Sequence, residues 1–204
     1  MGQYHRSNGR QGGRHHREPG HAERGFSLLE TLIALAILAS GLVGVASLSA
    51  VAARASQDAR RVTVAVTLAS QKMEQLRALA LGYDVLGLPS TDTTSDPSSV
   101  PTRPAGGSGL LPSPGGTLAS NTPGYVDYLD VEGRWVGTGS TMARGTAYVR
   151  RWSIGPLPSN PGDAVVFRVV VIAIRPGGAG AQALAAALMA SDARLVGIKA
   201  RKAG

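Results

Sequence analysis

Apolar and polar positions divide the chain into four stretches of different character. Residues 1–25 are polar and rich in Gly and Arg, with no apolar periodicity, which predicts a solvated, disordered tail. Residues 31–53 then run without a charge, 23 positions dominated by Leu, Ile, Val and Ala. At about 1.5 Å of rise per residue, a helix of that length covers the roughly 30 Å hydrocarbon core of a bilayer. The run predicts a single membrane-spanning helix over about residues 28–53. A secretory signal peptide is the competing reading, and Ala50-Val51-Ala52 offers a small-x-small cleavage site. Signal-peptide cores are typically about 7–15 residues long and follow a cationic segment. This run is longer and opens on a carboxylate, Glu30.

Past the uncharged run the helical pattern continues but becomes amphipathic. Val62, Val66, Ala69, Met73, Leu76 and Ala80 recur at spacings of three and four, with Arg60, Arg61, Gln71, Lys72, Glu74 and Arg77 falling between them. One long helix over residues 26–82 is expected, ending near Gly82, a natural C-cap. Residues 83–124 read as a long loop: between Leu86 and Gly124 lie seven of the twelve prolines and seven glycines. The remainder, 125–204, carries short β-branched and aromatic runs at 125–131, 134–136, 146–154, 165–174 and 194–200, as antiparallel strands do. Glu132-Gly133 suits a hairpin turn and residues 156–162 a second connection, while residues 182–189 suit a short helix. The run 165–174 is apolar on both faces apart from Arg168, which places it centrally in the sheet. Trp135 and Trp152 read as core aromatics.

Composition narrows the chemistry. A length of 204 residues at 43% apolar content supports one globular body. The net charge of +8 would suggest a nucleic-acid partner if it were clustered in the body. Instead, Arg6, Arg10, Arg14, Arg17 and Arg24 against Glu18 and Glu23 put +3 of it in the first 25 residues. No nucleic-acid partner is expected. Cysteine is absent and all four histidines, His5, His15, His16 and His21, lie in the tail. The body therefore lacks the residues of a Ser/His/Asp triad, a thiol nucleophile or an imidazole metal site. The Gly-rich stretch at 104–107 is not followed by Gly-Lys-Ser/Thr, so a nucleotide loop is rejected. Asp127, Asp130 and Glu132 could be imagined as a cation cluster, but carboxylates around a turn read as solvated turn residues. No catalytic residue, metal or cofactor is assigned, and an enzyme is not expected.

Arg24-Gly25-Phe26-Ser27-Leu28-Leu29-Glu30, running into Thr31-Leu32-Ile33-Ala34-Leu35-Ala36-Ile37, resembles the prepilin-type signal of type IV pilins and type II secretion pseudopilins. The resemblance covers about the first quarter of the chain. It implies that prepilin peptidase cuts after Gly25, that Phe26 becomes an N-methylated terminus, and that Glu30 serves assembly with other pilin or pseudopilin subunits. It also implies an α+β, pilin-like fold, with a long N-terminal helix packed on a small antiparallel sheet. The implied topology is single-pass in the inner membrane, residues 1–25 being a cytoplasmic leader and the sheet domain periplasmic before entry into a filament. The segments Leu68-Ala69-Ser70-Gln71-Lys72-Met73-Glu74-Gln75-Leu76-Arg77 and Tyr148-Val149-Arg150-Arg151-Trp152 are similar to pilus-modification (V-type) minor pilins. The implied function is that of a minor pilin, with a type II secretion minor pseudopilin as the alternative and an unprocessed single-pass envelope protein as the second. Major pilins often carry a C-terminal disulfide and a Pro-kinked span, whereas this chain has no Cys and no Pro between Phe26 and Leu88.

The Gly-Phe junction yields a test, because Gly25 has no side chain to obstruct a protease pocket. Replacing Gly25 with a bulky residue is expected to leave membrane insertion intact and to block leader removal. Immunoblotting should then show one larger species, and a mature-sized band would remove the peptidase from the argument.

Overall fold

The computed structural model describes residues 26–174 and 193–202. The leader, residues 1–25, and the helix expected at 182–189 lie outside the described residues. The chain resolves into two units, Met1–Ala50 and Val51–Gly204.

A single helix, α1 (Leu28–Ala78), runs through the boundary between these units. In the first unit every described side chain is exposed, Leu32, Ile37, Leu42 and Leu48 among them. Among the described residues, α1 is the one helix long and apolar enough to cross a membrane. Its hydroxyls suit that solvent. Thr31 Oγ1 donates to the Leu28 carbonyl (2.9 Å), Ser40 Oγ to Ile37 (2.8 Å) and Ser47 Oγ to Val43 (2.8 Å). Each of these three hydroxyls is thus satisfied within the helix, as hydrocarbon requires.

In the second unit α1 buries Ala65, Leu68, Ala69, Lys72, Met73 and Leu76. The buried stripe is rotated from the expected one: Val62 and Val66 are each 43% exposed and Ala80 is exposed, while Lys72, expected among the solvent-facing residues, is wholly buried. The helix also stops short of Gly82. Lys199 donates its ammonium to the Arg77 and Leu79 carbonyls, two of the acceptors that a helix end leaves open. The chain then turns at once into β1 (Leu81–Tyr83).

β1 pairs antiparallel with β2 (Pro89–Thr91), so the stretch expected to be all loop begins with a two-stranded sheet. The rest of that stretch is pinned rather than free. Asp92 accepts the Thr94 and Ser95 amides (3.0 and 2.9 Å), Asp96 and Arg103 pair through their backbones, and Leu110 is 1% exposed in the core. Turn chemistry and one apolar plug order the segment where composition alone points to irregularity.

The main sheet is antiparallel throughout. It consists of β3 (Val126–Leu129), β4 (Trp135–Thr138), β5 (Tyr148–Leu157), β6 (Asn160–Ala173) and β7 (Ala193–Ala200), in the order β4-β3-β5-β6-β7. β5 is the central strand, and β6 lies beside it. The connection between them is tighter than expected, since Leu157 pairs with Asn160 and only Pro158 and Ser159 remain for the turn. The β3–β4 turn matches its sequence signature. Asp130 Oδ1 accepts the Glu132 and Arg134 amides (2.9 and 2.8 Å), and Gly133 takes φ +79°. One face of the sheet meets α1 through Leu129, Trp152, Ile154, Phe167, Val169 and Val171. The approach is close at β7, where a Cβ on Gly197 would sit 2.7 Å from Met73 Sδ. On the opposite face Val126, Tyr128 and Val149 form a smaller cluster with Val136, Ala143 and Ile174.

The rotated stripe predicts an asymmetric response to truncation. Leu68→Ala and Leu76→Ala should each destabilise the domain by about 2–5 kcal/mol, whereas Val62→Ala and Val66→Ala should stay within about 0.5 kcal/mol. Denaturant unfolding of the detergent-solubilised chain, followed by tryptophan fluorescence, measures all four. Equal losses at Val62 and Leu68 would contradict the orientation of α1.

Candidate functional site

The residues singled out by the sequence lie at the start of α1. Phe26 is 80% exposed and precedes the first helical turn, while Gly25 lies outside the described residues. Ser27 caps the helix: the Leu29 amide donates to its Oγ (3.3 Å) and the Glu30 amide to its carbonyl (2.9 Å). This cap was not anticipated, although Ser27 and Glu30 stand at the spacing of a capping box. Glu30 lies in the first turn, where the helix dipole favours a carboxylate, and forms no ion pair among the described residues. Phe26 and Glu30 are thus presented on the exposed end of a capped, apolar helix.

A second constellation, in the domain, was missed. Asp127, expected to be a solvated turn residue, is fully buried on β3 between two cations. Arg150, its register partner on β5, donates Nε to Oδ1 (2.9 Å) and Nη2 to Oδ2 (3.0 Å). Lys72 of α1 brings its Nζ within 2.7 Å of Oδ2. The cations have further partners. Arg150 Nη1 donates to the Leu68 carbonyl (2.8 Å), and Lys72 donates to the Pro97 carbonyl and lies 4.3 Å from the Trp152 ring centroid. Asp130 and Glu132, by contrast, do sit at a turn, with Glu132 exposed. The strand's two-residue period sends Arg151 to the opposite face, where Asn121 Oδ1 accepts its Nε and Nη2 (3.0 and 2.6 Å). Trp152 is buried as expected, and its Nε1 and Gln75 Oε1 are sealed without partners among the described residues. Trp135 is only half-buried and donates Nε1 to the Ser98 carbonyl (2.9 Å).

Two cations share one carboxylate in a layer closed to solvent. Burial pushes the Lys72 ammonium from the ordinary 10.5 down to about 8, assisted by Arg150 and opposed by Asp127. Lys72, Asp127 and Arg150 are at most 1% exposed, so the lysine has no path to a substrate. The cluster fastens the segment at Pro97, α1 and the sheet to one another.

Residues 20–46 match the family model for the prokaryotic N-terminal methylation motif, which spans the Gly25-Phe26 junction, Glu30 and the first turns of α1. Comparison with curated proteins and with solved structures gives no match. The chain thus carries a type IV pilin-like N-terminal signal on a membrane-anchoring helix.

The charge imbalance predicts a ranking and a pH dependence. Asp127→Asn leaves two facing cations and should cost about 3–5 kcal/mol at pH 7, whereas Lys72→Met leaves the neutral Asp127–Arg150 pair and should cost less. Because the folded chain holds the Lys72 proton less tightly than the unfolded chain, stability from this group rises with pH between about 8 and 10.5. It is complete above the ordinary lysine value and lost as the pH falls through about 8. Subtracting the unfolding profile of Lys72→Met from that of the native chain isolates the slope, and identical profiles would remove Lys72 from the account.

Proposed function

We propose that this chain is a minor pilin, a structural and assembly subunit of a type IV pilus that enters the filament through α1. In this reading prepilin peptidase cuts between Gly25 and Phe26, the new Phe26 amine is methylated, and the sheet domain lies on the periplasmic side of the inner membrane. The observation that carries it is the methylation motif at residues 20–46, laid across the capped start of an exposed apolar helix.

Glu30 gives the reading its mechanism. A carboxylate four residues from the new terminus stands at the edge of hydrocarbon, where an unpaired charge is unfavourable. Cleavage before Phe26 creates an ammonium group of opposite sign. Pairing Glu30 of an incoming subunit with the Phe26 amine of a neighbour compensates both charges and sets the axial register between packed helices. The segments resembling pilus-modification pilins also include Lys72, Arg150 and Trp152, whose side chains meet in the buried cluster. A minor pseudopilin of a type II secretion system uses the same processing and the same charge pair. Gene neighbourhood separates the two, pilus assembly genes favouring the first and secretion genes the second.

Glu30→Ala is expected to be processed and inserted but to join filaments about tenfold less, because the neighbour's amine loses its partner. Intact mass of the membrane form, which should begin at Phe26, and co-purification with sheared filaments test both halves. A native chain still carrying residues 1–25 would favour an unprocessed envelope protein, and wild-type incorporation of Glu30→Ala would leave assembly to apolar packing alone.

A further inference from the structure

The face of the sheet turned away from α1 has two unlike halves. Over β3 and β5 the chain furnishes its own cover: Val136, Ala143 and Ile174 pack on Val126, Tyr128 and Val149, and Arg151 is held by Asn121 and the Leu118 carbonyl. The half over β6 and β7 is different. Phe167, Val169 and Leu195 turn toward α1, so the two-residue period places Arg168 of β6 and Arg194, Val196, Ile198 and Ala200 of β7 on the outer face. All five are exposed, Val196 to 61% and Ile198 to 57%. Arg168 stands opposite Val196 in the register, which makes it the diagonal neighbour of Arg194, about 7–8 Å away. Neither arginine makes an ion pair or a hydrogen bond among the described residues. The positions around them on this face, Ser153, Val166 and Val170, carry no charge. Two like charges set side by side without a counter-ion, next to a row of exposed aliphatic side chains, are accommodated together only by a surface that brings anions beside apolar groups.

We propose that the outer face of β6 and β7 docks a partner protein that presents carboxylates beside aliphatic side chains. The carboxylates accept the guanidinium forks of Arg168 and Arg194, and the aliphatic groups cover Val196 and Ile198, which gives an apolar centre with a charged margin. Charge selects this occupant over the others. A second copy of the chain is poorly matched, because its exposed carboxylates are largely engaged: Asp58 and Glu74 pair with arginines of α1, Asp84 accepts backbone amides and Asp163 accepts the Tyr83 hydroxyl. Residues 193–204 contain no acidic residue, so two copies of this strand would meet cation to cation. Nucleic acid calls for a longer basic track or for aromatic platforms that stack bases. β6 and β7 place two cations and no aromatic side chain on this face. The inference concerns the sheet domain alone and depends neither on cleavage at Gly25 nor on assembly through α1.

The test places the photo-crosslinker p-benzoylphenylalanine at Val196 in the full chain, in the cells that make it, and sequences the crosslinked peptide after irradiation. The expected adduct is with a different protein, at a segment carrying Asp or Glu beside aliphatic residues. Combining Arg168→Glu with Arg194→Glu should lower its yield roughly tenfold, since reversing both charges turns attraction into repulsion. Changing the crosslinked partner's carboxylates to lysine should restore the yield with that double variant, which a merely destabilised domain would not allow. Both arginines are exposed, so the double variant should keep the native fold, as near-ultraviolet circular dichroism checks. An adduct with this chain itself, within one molecule or between copies, an adduct with nucleic acid or lipid, a yield indifferent to the charge reversal, or no adduct would each overturn the inference. The mass of the uncrosslinked chain from the same cells reports whether it begins at Phe26, so failure of the processing reading is scored separately.

Discussion

One carboxylate, Asp127, held between Arg150 and Lys72, sets how the helix meets the sheet. The Asp127–Arg150 pair lies within the sheet and would be neutral alone; α1 brings the extra charge. That charge is tolerable only where the Pro97 carbonyl, the Trp152 ring and Asp127 all face it. Rotating α1 by one residue, about 100°, would swing Lys72 away from Asp127 and give up that contact. The ionic contact therefore selects the face made of Ala65, Leu68, Lys72 and Leu76 over the alternative through Val62 and Val66. Apolar area alone does not distinguish the two, since valine is a larger apolar side chain than alanine.

This is also why the packing was only partly legible from the sequence. The strands stand out because β-branched and aromatic runs report themselves locally, and the β3–β4 turn stands out because Asp130 and Gly133 act within five residues. The prepilin-type motif is legible for the same reason: Phe26, Ser27 and Glu30 occupy less than two helical turns. The buried cluster is assembled from α1, β3 and β5. A lysine within Gln71-Lys72-Met73-Glu74, and an aspartate just before a turn, carry no local sign that they will be enclosed. Composition was a poor guide at 83–124, where Asp92, Asp96 and Leu110 impose order that a count of Pro and Gly conceals.

α1 serves two solvents with one backbone. Up to Arg60 every described side chain is exposed, and the hydroxyls of Thr31, Ser40 and Ser47 turn back onto the helix. From Ala65 on, one face of every turn is buried against protein, and the helix ends on the Lys199 ammonium rather than on a glycine. The intervening turn, with Gln57, Arg60 and Arg61, belongs to neither environment, and there Arg61 pairs with Asp58 along the helix surface.

The hydrogen bond from Arg150 to the Leu68 carbonyl joins residues 82 apart, whereas β5 and β6 meet through a two-residue turn. During synthesis from the N-terminus, α1 emerges well before the strands that will cover it. Its Leu68, Met73 and Leu76 then lack the cover of the central strand until the polypeptide has grown past β5, and Lys72 lacks Asp127 until it has grown past β3. A charged lysine on that face keeps the waiting helix hydrated and sets its apolar stripe apart from the uninterrupted one that precedes it. The residue that later locks the helix to the sheet thus also keeps that stripe distinct, on the unfinished chain, from the uncharged run that ended at Ala53.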